Sequence, residues 1–189
     1  GTNDQPVITT VDVIGAVTED TTVGDNPNTA ATETGAYLTD TGSITFTDAD
    51  ATDLSNATVA IKGDAVAAGG ASVSTALATA LATAMKLTGD ITDKNAGTVT
   101  WTFALDNALA QYLAKDETVT VTYTITVTDD SGASNKSATQ DVTVTITGTN
   151  DQPVITTVDV IGAVTEDTTV GDNPNTAATE TGAYLTDTG

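Results

Sequence analysis

The chain lacks three residue types that carry much of protein chemistry: it contains no cysteine, no histidine and no arginine. The absence of cysteine excludes disulfides and thiol chemistry. The absence of histidine, together with that of cysteine, excludes zinc fingers and histidine-based acid–base catalysis. Positive charge is also scarce, because lysine occurs only five times among 189 residues.

Acidic residues are abundant by contrast: 26 aspartates and glutamates give a formal net charge of −21. Such a surface repels nucleic acid and anionic lipid, which both need clustered lysine or arginine, so we expect neither as a partner. No apolar run approaches the roughly 18 residues of a membrane span, which predicts no membrane insertion. Carboxylates attract hard cations, although a solvated acidic surface that keeps a secreted protein soluble explains the same charge.

The sequence repeats itself: residues 148–189 are identical to residues 1–42, at an offset of 147 positions. Self-similarity at a fixed spacing indicates a tandem array. A repeat unit of 147 residues can bury an adequate core without obligatory metals or disulfides. We therefore predict a linker at 1–6, a complete repeat at 7–147, a second linker at 148–153 and the beginning of the next identical repeat at 154–189.

Most of the chain has the two-residue alternation of β-strands, with Val, Ile, Phe or Trp alternating with Thr. A first strand is predicted at 7–14, with a continuation past a bulge at Gly15. Several short strands separated by acidic turns favour a mostly β fold, an antiparallel immunoglobulin-like β-sandwich. The other strands are predicted at 43–47, 57–62, 99–105, 119–127 and 142–146.

One inserted helix is predicted at about 72–87. Val73, Leu77, Leu81 and Met85 recur every four positions in an Ala-rich segment, with a serine available as N-cap and Gly89 just past the end. The same residues also satisfy a period of two, but the length and the alanine content favour a helix. One or two further helical turns are predicted within 107–114.

Acidic and amide side chains concentrate where strands are predicted to end. Turns favour Asp and Asn in any case, because their side chains bond to nearby backbone N–H groups. Carboxylates that gather at one pole of a sandwich nevertheless repel one another unless a cation lies among them. The candidate metal ligands at these positions are Asn3, Asp4, Glu19, Asp48, Asp50, Asp106, Asp129, Asp130, Asn150 and Asp151.

The order of these motifs resembles a cadherin-like repeat, and more closely the VCBS-type repeats of long bacterial RTX-type adhesins. The most specific matches are Gly97-Thr-Val-Thr-Trp101, Leu105-Asp106-Asn107, Leu113-Ala-Lys-Asp-Glu117-Thr and Val142-Thr-Val-Thr-Ile-Thr-Gly-Thr-Asn-Asp151, together with Phe46-Thr-Asp-Ala-Asp50. The resemblance covers most of residues 1–153 and implies a cadherin-like sandwich.

Cadherin-like repeats hold calcium at the junction between consecutive domains. Carried over by position, the resemblance implies that Asp48, Asp50 and one of Asp129 or Asp130 face the linker residues Asn3 and Asp4. It places Glu19 and Asp106 at the opposite pole, facing Asn150 and Asp151. The chain departs from the family pattern at Gly148, Gln152 and Ala108, which implies one or two calcium ions per junction where cadherins hold three.

The resulting expectation is a calcium-stabilised structural extender, a stalk repeat of a bacterial surface adhesin in a biofilm-type, extracellular setting. The resemblance implies export by type I secretion, with neighbouring identical repeats of the same chain as partners. Because residues 148–189 equal residues 1–42, strand exchange between chains through 148–189 is also expected.

Two other functions compete with this one. A carbohydrate-binding or cell-binding module of the same adhesin would need exposed aromatic residues. The chain has seven aromatics, and the candidates outside the predicted core are Tyr37, Tyr184 and Tyr112. Paired carboxylates could serve glycoside hydrolysis. No histidine, cysteine or arginine accompanies them, so we expect no catalysis.

Overall fold

The computed structural model describes residues 1–20, 23–24, 37–50, 52–89, 96–151, 162–163, 170–171 and 184–185. The chain divides into two compact units, Gly1–Asp151 and Gln152–Gly189. The strand exchange expected through 148–189 falls largely on residues outside the described ranges, so it stays a prediction, as do the repeat boundaries.

The first unit contains ten strands, one α-helix and one 3₁₀ helix among its described residues. The helices are α1 (Thr75–Leu81) and the 3₁₀ helix Asn107–Leu109. The strands are β1 (Val7–Val11), β2 (Ile14–Thr18), β3 (Val23–Gly24), β4 (Tyr37–Thr47), β5 (Ser55–Ile61), β6 (Val66–Ala68), β7 (Met85–Thr88), β8 (Ala96–Asp106), β9 (Thr118–Asp129) and β10 (Ser137–Thr147).

The strands form two sheets that pack face to face, which confirms the mostly β, immunoglobulin-like sandwich with a single short α-helix. One sheet has the order β1-β4-β8-β7, with β3 also paired to β4. The other has the order β2-β10-β9-β5, with β6 also paired to β9. Along β9 every second residue is buried, because alternate side chains of a strand point to opposite faces of a sheet.

The expected single first strand is in fact two strands in different sheets. β1 pairs antiparallel with β4, and β2 pairs parallel with β10, so the chain crosses between the sheets at Asp12 and Val13. The backbone carbonyl of Asp12 accepts a hydrogen bond of 2.7 Å from Nε1 of the fully buried Trp101. This bond satisfies a buried indole N–H and fixes the crossing point.

The helix is shorter than predicted, because only the first half of 72–87 is helical. Ser74 caps α1 by accepting a hydrogen bond from the amide of Leu77 at 3.1 Å. The segment from Met85 onward forms β7 instead, with Met85 opposite Phe103 and Leu87 opposite Trp101. Pairing with β8 thus decides between two periods that the sequence satisfies equally well.

The buried core lies between the sheets and includes all the largest apolar side chains of β4, β8 and β9. Four of the aromatic residues, Trp101, Tyr123, Phe46 and Phe103, are at most 1% exposed. The Tyr123 hydroxyl donates to the carbonyl of Leu81 at 2.7 Å, which ties the end of α1 to the sheet. The 3₁₀ helix accounts for one of the helical turns expected within 107–114.

In the second unit, Val170–Gly171 pairs antiparallel with Tyr184–Leu185. Its register, Val170 opposite Leu185, repeats the pairing of Val23 with Leu38 in the first unit. No helix among the described residues is long and apolar enough to span a membrane.

Candidate metal-binding poles

The sandwich has two poles at which acidic and amide side chains meet a copy of the linker sequence. β4 and β9 end at the first pole, and β8 and β10 end at the second, since each pair of strands runs in a common direction. The first pole comprises Asn3, Asp4, Asp48, Asp50, Asp53, Ser55, Asp129, Asp130 and Asn135. The second pole comprises Glu19, Asp20, Asp106, Asn107, Gln111, Thr149, Asn150 and Asp151.

At the first pole the core ends in a layer of oxygen-bearing side chains. Asp48 follows the inward-facing Phe46 by two residues, and the cross-strand partners Ser55 and Asp129 close the ends of β5 and β9. Their side chains are 6%, 6% and 2% exposed for Asp48, Ser55 and Asp129. Within the described part of the chain, Asp48 Oδ2 and Ser55 Oγ have no hydrogen-bond partner. A buried oxygen without a partner is costly, so this layer calls for a ligand or solvent donor.

The first linker is bound to this layer. Asn3 donates through Nδ2 to Asp129 Oδ2 at 3.4 Å, and the Asp4 amide donates to Asp50 Oδ2 at 2.7 Å. Asn135, from the β9–β10 turn, donates to the carbonyl of Asn3 at 2.8 Å. The structure therefore brings together the five residues that the sequence grouped at this pole, and it adds Asn135.

The carboxylates of the first pole differ in electrostatic environment. Burial acts to raise the pKa of Asp129, but hydrogen bonds from the hydroxyl and amide of Ser131 and from Asn3, with the positive charge of Lys136, hold this pKa below its usual range. Desolvation raises the pKa of Asp53, and the charges of Asp50, Asp129 and Asp130 raise it further. The pole therefore concentrates like charges that disfavour one another.

At the second pole the buried acid is Glu19, which continues the inward alternation of Gly15 and Val17 beyond the end of β2. Its side chain is fully buried. Oε1 accepts a hydrogen bond from the Thr149 amide at 2.6 Å, whereas Oε2 has no partner among the described residues. Desolvation raises the pKa of Glu19, with further contributions from the charges of Asp151 and Asp20.

Asp20 lies beside Glu19 in the left-handed region of the backbone, with φ of 58°. Its Oδ1 accepts hydrogen bonds from Asn107 at 2.9 Å and Gln111 at 2.8 Å. These bonds lower the pKa of Asp20. Glu19, Asp20 and Asp151 thus form the acidic group of this pole, on β2 and the second linker.

Gly148 fixes the direction in which the chain leaves β10. Its amide donates to the carbonyl of Glu117 at 2.9 Å, and its carbonyl accepts from the Asp116 amide at 3.2 Å. A Cβ at this position would lie 2.4 Å from the Ala114 carbonyl oxygen and 2.6 Å from that of Leu113. Only glycine fits, which explains why the linker begins with Gly and not with Asp.

Three of the sequence candidates have backbone partners. Asp106 Oδ1 caps the 3₁₀ helix by accepting from the Ala108 amide at 2.9 Å. Asn150 donates to the Asp151 carbonyl at 3.2 Å. These two bonds are the local turn contacts that Asp and Asn commonly make. Asp130 Oδ1 instead accepts from the amide of Leu54, which is distant in the sequence, at 2.9 Å.

Besides Thr149, which contacts Glu19 through its amide, sequence reasoning left out six residues that the structure places at the poles. For Ser55 a signal existed, because it occupies an inner-face position of β5 in register with Asp129. Asp20 adjoins a residue that was chosen, but its positive φ is invisible in the sequence. The omitted residues are Asp20, Asp53, Ser55, Asn107, Gln111 and Asn135.

The oxygen atoms at both poles are of the chemical types that bind a hard divalent cation. All are carboxylate, amide, hydroxyl or backbone oxygens, the ligands that calcium takes, and two carboxylate oxygens, Asp48 Oδ2 and Glu19 Oε2, are buried without partners. Among the described residues no three acidic side chains converge closely enough to form a ready metal site. Binding would therefore have to draw the side chains together. Metal ligation by the sequence candidates stays a prediction.

The comparisons with known proteins found no matching family model and no matching curated protein. Two solved structures are similar to this chain at 12% identity. The CooA pilin subunit from enterotoxigenic Escherichia coli matches 79% of this chain and 100% of its own, with a TM-score of 0.40. AggA, the major subunit of aggregative adherence fimbriae type I from Escherichia coli, matches 78% of this chain and 97% of its own, with a TM-score of 0.38.

The family expected from the sequence is wrong. No model of a VCBS-type or cadherin-like repeat matches, and the similar structures are fimbrial subunits and not repeats of an RTX adhesin. The motifs that suggested the family are strand alternation and acidic turns, which many sandwiches share. Type I secretion was implied only by that family and loses its support. At this identity and TM-score, the fimbrial similarity itself carries no argument about function.

The aromatic residues give no platform for a carbohydrate among the described side chains. The four aromatics of the core are buried, and Tyr112, at 44% exposed, donates its hydroxyl to the Ser72 carbonyl at 2.5 Å. Two surface clefts of about 420 and 460 Å³ lie beside α1, between β5 and β7, and their lining is mostly aliphatic. A specific site needs convergent polar groups as well, so these clefts do not favour a ligand-binding module.

Proposed function

We propose that this chain is a calcium-stabilised structural repeat of an extracellular surface adhesin, an extender that performs no catalysis. The observation that carries the proposal is Asp48 Oδ2, a buried carboxylate oxygen without a partner in the described chain, which lies beside the bound linker at the first pole. A structural repeat needs no substrate site, and its functional contacts lie at its two ends.

The electrostatics at the poles support a cation in preference to a proton. Asp129 has a lowered pKa, so it is suited to remain charged at neutral pH, and Asp50 accepts a hydrogen bond from the linker amide. Carboxylates that gather around a buried, unpartnered oxygen repel one another. One divalent cation would both remove this repulsion and satisfy the oxygen. Asp48, Asp50 and Asp129 would hold the ion, with Asn3 and Asp4 from the linker.

The energetic scale suits an extracellular location. Calcium sites of extracellular modules have dissociation constants of about 0.1 to 1 mM, so they fill only where calcium is abundant. At ten to a hundred times the dissociation constant, one ion contributes about 1.4 to 2.7 kcal/mol to the stability of the bound state. That amount is enough to hold a short linker against its pole for most of the time.

Neighbouring identical repeats are the proposed partners, since the linker sequence Gly1 to Pro6 returns unchanged at 148–153. A linker that is bound to the adjoining sandwich transmits direction along an array, whereas a free linker of six residues acts as a flexible joint. Calcium would therefore set the stiffness of the array, and its removal would leave the acidic poles repelling their linkers.

The test is thermal unfolding of the 189-residue chain in calcium, in magnesium and in chelator. We expect calcium to raise the melting temperature by about 3 to 10 °C, from the binding energy above and about 2 to 4 °C per kcal/mol for a unit of this size. Magnesium should raise it less, because it demands stricter geometry and gives up its water reluctantly.

Asp48→Asn should abolish most of the calcium response at the first pole. Asp64→Asn is the matched control, since Asp64 is exposed and follows the end of β5 that is remote from Ser55. Equal melting temperatures of the parent chain in calcium and in chelator would refute the proposal. For the array itself, scattering from several complete repeats should show a smaller maximum dimension in chelator.

A further inference from the structure

Ser55 carries a buried hydroxyl at the first pole. Ser55 is 6% exposed, begins β5, and lies opposite Asp129 in the antiparallel register with β9. Its Oγ has no hydrogen-bond partner within the described chain. Serine hydroxyls normally rotate to find a partner, so one that is buried without any is unusual in a well-packed core.

The position of Ser55 excludes a simple packing explanation. The next inward-facing residues along β5 are Ala57, Val59 and Ile61, all apolar. An alanine at position 55 would continue that series and would avoid the cost of an unsatisfied hydroxyl. The hydroxyl therefore stands where the core changes from apolar side chains to the oxygen-bearing layer.

One carboxylate in the layer around Ser55 has its hydrogen bonds satisfied, and the other has a buried oxygen without a donor. Asp48 Oδ2 is buried and unpartnered, and Asp129 is 2% exposed with its Oδ1 bonded to Ser131 and its Oδ2 to Asn3. Ser55 Oγ makes no hydrogen bond to Asp48, although such a bond would relieve both groups. Two buried oxygens of this layer, Asp48 Oδ2 and Ser55 Oγ, are therefore left for a third partner.

We propose that Ser55 Oγ is a ligand of the cation bound at the first pole, beside the carboxylates of Asp48 and Asp129. This proposal rests on the proposed calcium site and adds a neutral oxygen to its ligand set. A neutral ligand suits this place, because a third buried carboxylate would add to the repulsion that Asp50 and Asp53 already impose. Calcium takes neutral oxygens together with carboxylates as a rule.

Calorimetric titration of the 189-residue chain with calcium tests the role of the hydroxyl. Asp48→Asn first identifies the heat that belongs to the first pole. Ser55→Ala should then weaken that binding by about five- to tenfold, the effect of losing one oxygen ligand. In chelator the melting temperature of Ser55→Ala should equal or exceed that of the parent chain, because the variant removes a hydroxyl that had no partner.

A change of metal preference separates ligation from a structural role. The chain has no cysteine, so Ser55→Cys introduces a single thiol. Sulfur binds soft metals, and a thiol that binds cadmium loses its proton. Ser55→Cys should therefore bind cadmium at least tenfold more tightly than the parent chain while its calcium affinity falls. Asn56→Cys is the control, since residue 56 is exposed on the outer face of the same strand.

The outcomes distinguish this inference from the proposed function. Loss of calcium binding in Asp48→Asn with unchanged affinity in both Ser55 variants would overturn the role of Ser55 and leave the calcium site standing. A Ser55→Ala variant that melts well below the parent chain in chelator would also overturn it, since the hydroxyl would then serve the fold. If Asp48→Asn binds calcium as the parent does, the proposed function fails first.

Discussion

Glu19→Gln should have opposite effects on stability with and without calcium. The substitution keeps the size and shape of the side chain, and the amide oxygen can still accept the Thr149 amide at 2.6 Å. It removes a negative charge from a fully buried position and turns the unpartnered Oε2 into an N–H donor that points toward an acidic group. In chelator at pH 7 both changes are favourable.

The magnitude follows from the cost of a buried polar atom without a partner, about 1 to 3 kcal/mol. Part of that cost is already relieved by solvent or local adjustment, so we expect a gain of about 1 to 2 kcal/mol. For a unit of this size the melting temperature should rise by about 2 to 8 °C. With calcium at a hundred times its dissociation constant, the parent chain gains about 2.7 kcal/mol per ion, which the variant loses at this pole. The order of the two melting temperatures should therefore reverse.

The pH dependence in chelator gives an independent check. Because the pKa of Glu19 in the folded protein lies above its reference value of 4.5, the protonated form is favoured by folding. Its contribution to stability is fully present below pH 4.5 and is lost as the pH rises through the folded pKa. The parent chain should thus become more stable from pH 7 down toward 4.5, by an amount that Glu19→Gln does not show.

Other acids act in different pH ranges or cancel in the comparison. Asp20, Asp129 and Asp141 have lowered pKa values, so their contributions are present above pH 3.8 and are lost only below it. Asp53 has a raised pKa like Glu19, but it is present in both chains. The difference between the two melting curves as a function of pH therefore isolates Glu19.

Asp64→Asn is the control, because it removes one charge at an exposed residue that belongs to neither pole. It should leave the difference between calcium and chelator almost unchanged. A Glu19→Gln chain that melts below the parent in chelator at pH 7 would refute the reasoning. So would a difference between the two chains that does not shrink on acidification.

Two further predictions concern the frame that holds the poles. Tyr123→Phe should lower the melting temperature by about 2 to 4 °C, because it removes one buried hydrogen bond of about 1 kcal/mol to the Leu81 carbonyl. That carbonyl keeps a second bond, from the Ala84 amide. An unchanged melting temperature would show that the Tyr123 bond contributes nothing. Gly148→Ala should cost about 1 to 3 kcal/mol in unfolding measurements and weaken calcium binding at the second pole, because its Cβ meets backbone oxygens. Gly1→Ala, the same residue of the other linker copy, has open space around it and should change neither.

The sequence predicts the sandwich well, because the alternation of Thr with apolar residues survives in β4, β8, β9 and β10. The sequence-based prediction fails where pairing with a distant strand decides between two local conformations. The segment around Met85 satisfies periods of both two and four, and only its pairing with β8 makes it a strand. The break of the first strand at Asp12 depends on a bond from Trp101, some 89 residues away, which no local pattern reveals.

The grouping of the candidate ligands into two poles comes from the positions carried over from cadherin-like repeats, not from the strand pattern. The sequence did not predict which of these acids are buried, because every acid at a strand end could equally be explained as a turn residue. A sharper rule exists in the alternation itself. Asp48, Asp129 and Glu19 each lie two residues after an inward apolar residue, so each continues the core register beyond its strand. Asp130, one residue out of that register, is exposed.

The two copies of the linker show why one six-residue sequence can serve both poles. At the first pole the linker uses the side-chain amide of Asn3 and the backbone amide of Asp4. At the second pole it uses the backbone amide of Thr149, and the Asp151 carboxylate lies among the acids of that pole. The atoms in the two sets do not overlap when the identical residues are aligned. A single linker therefore carries enough donors to be held from either side without further residues, and this is the property that a repeat copied without change requires.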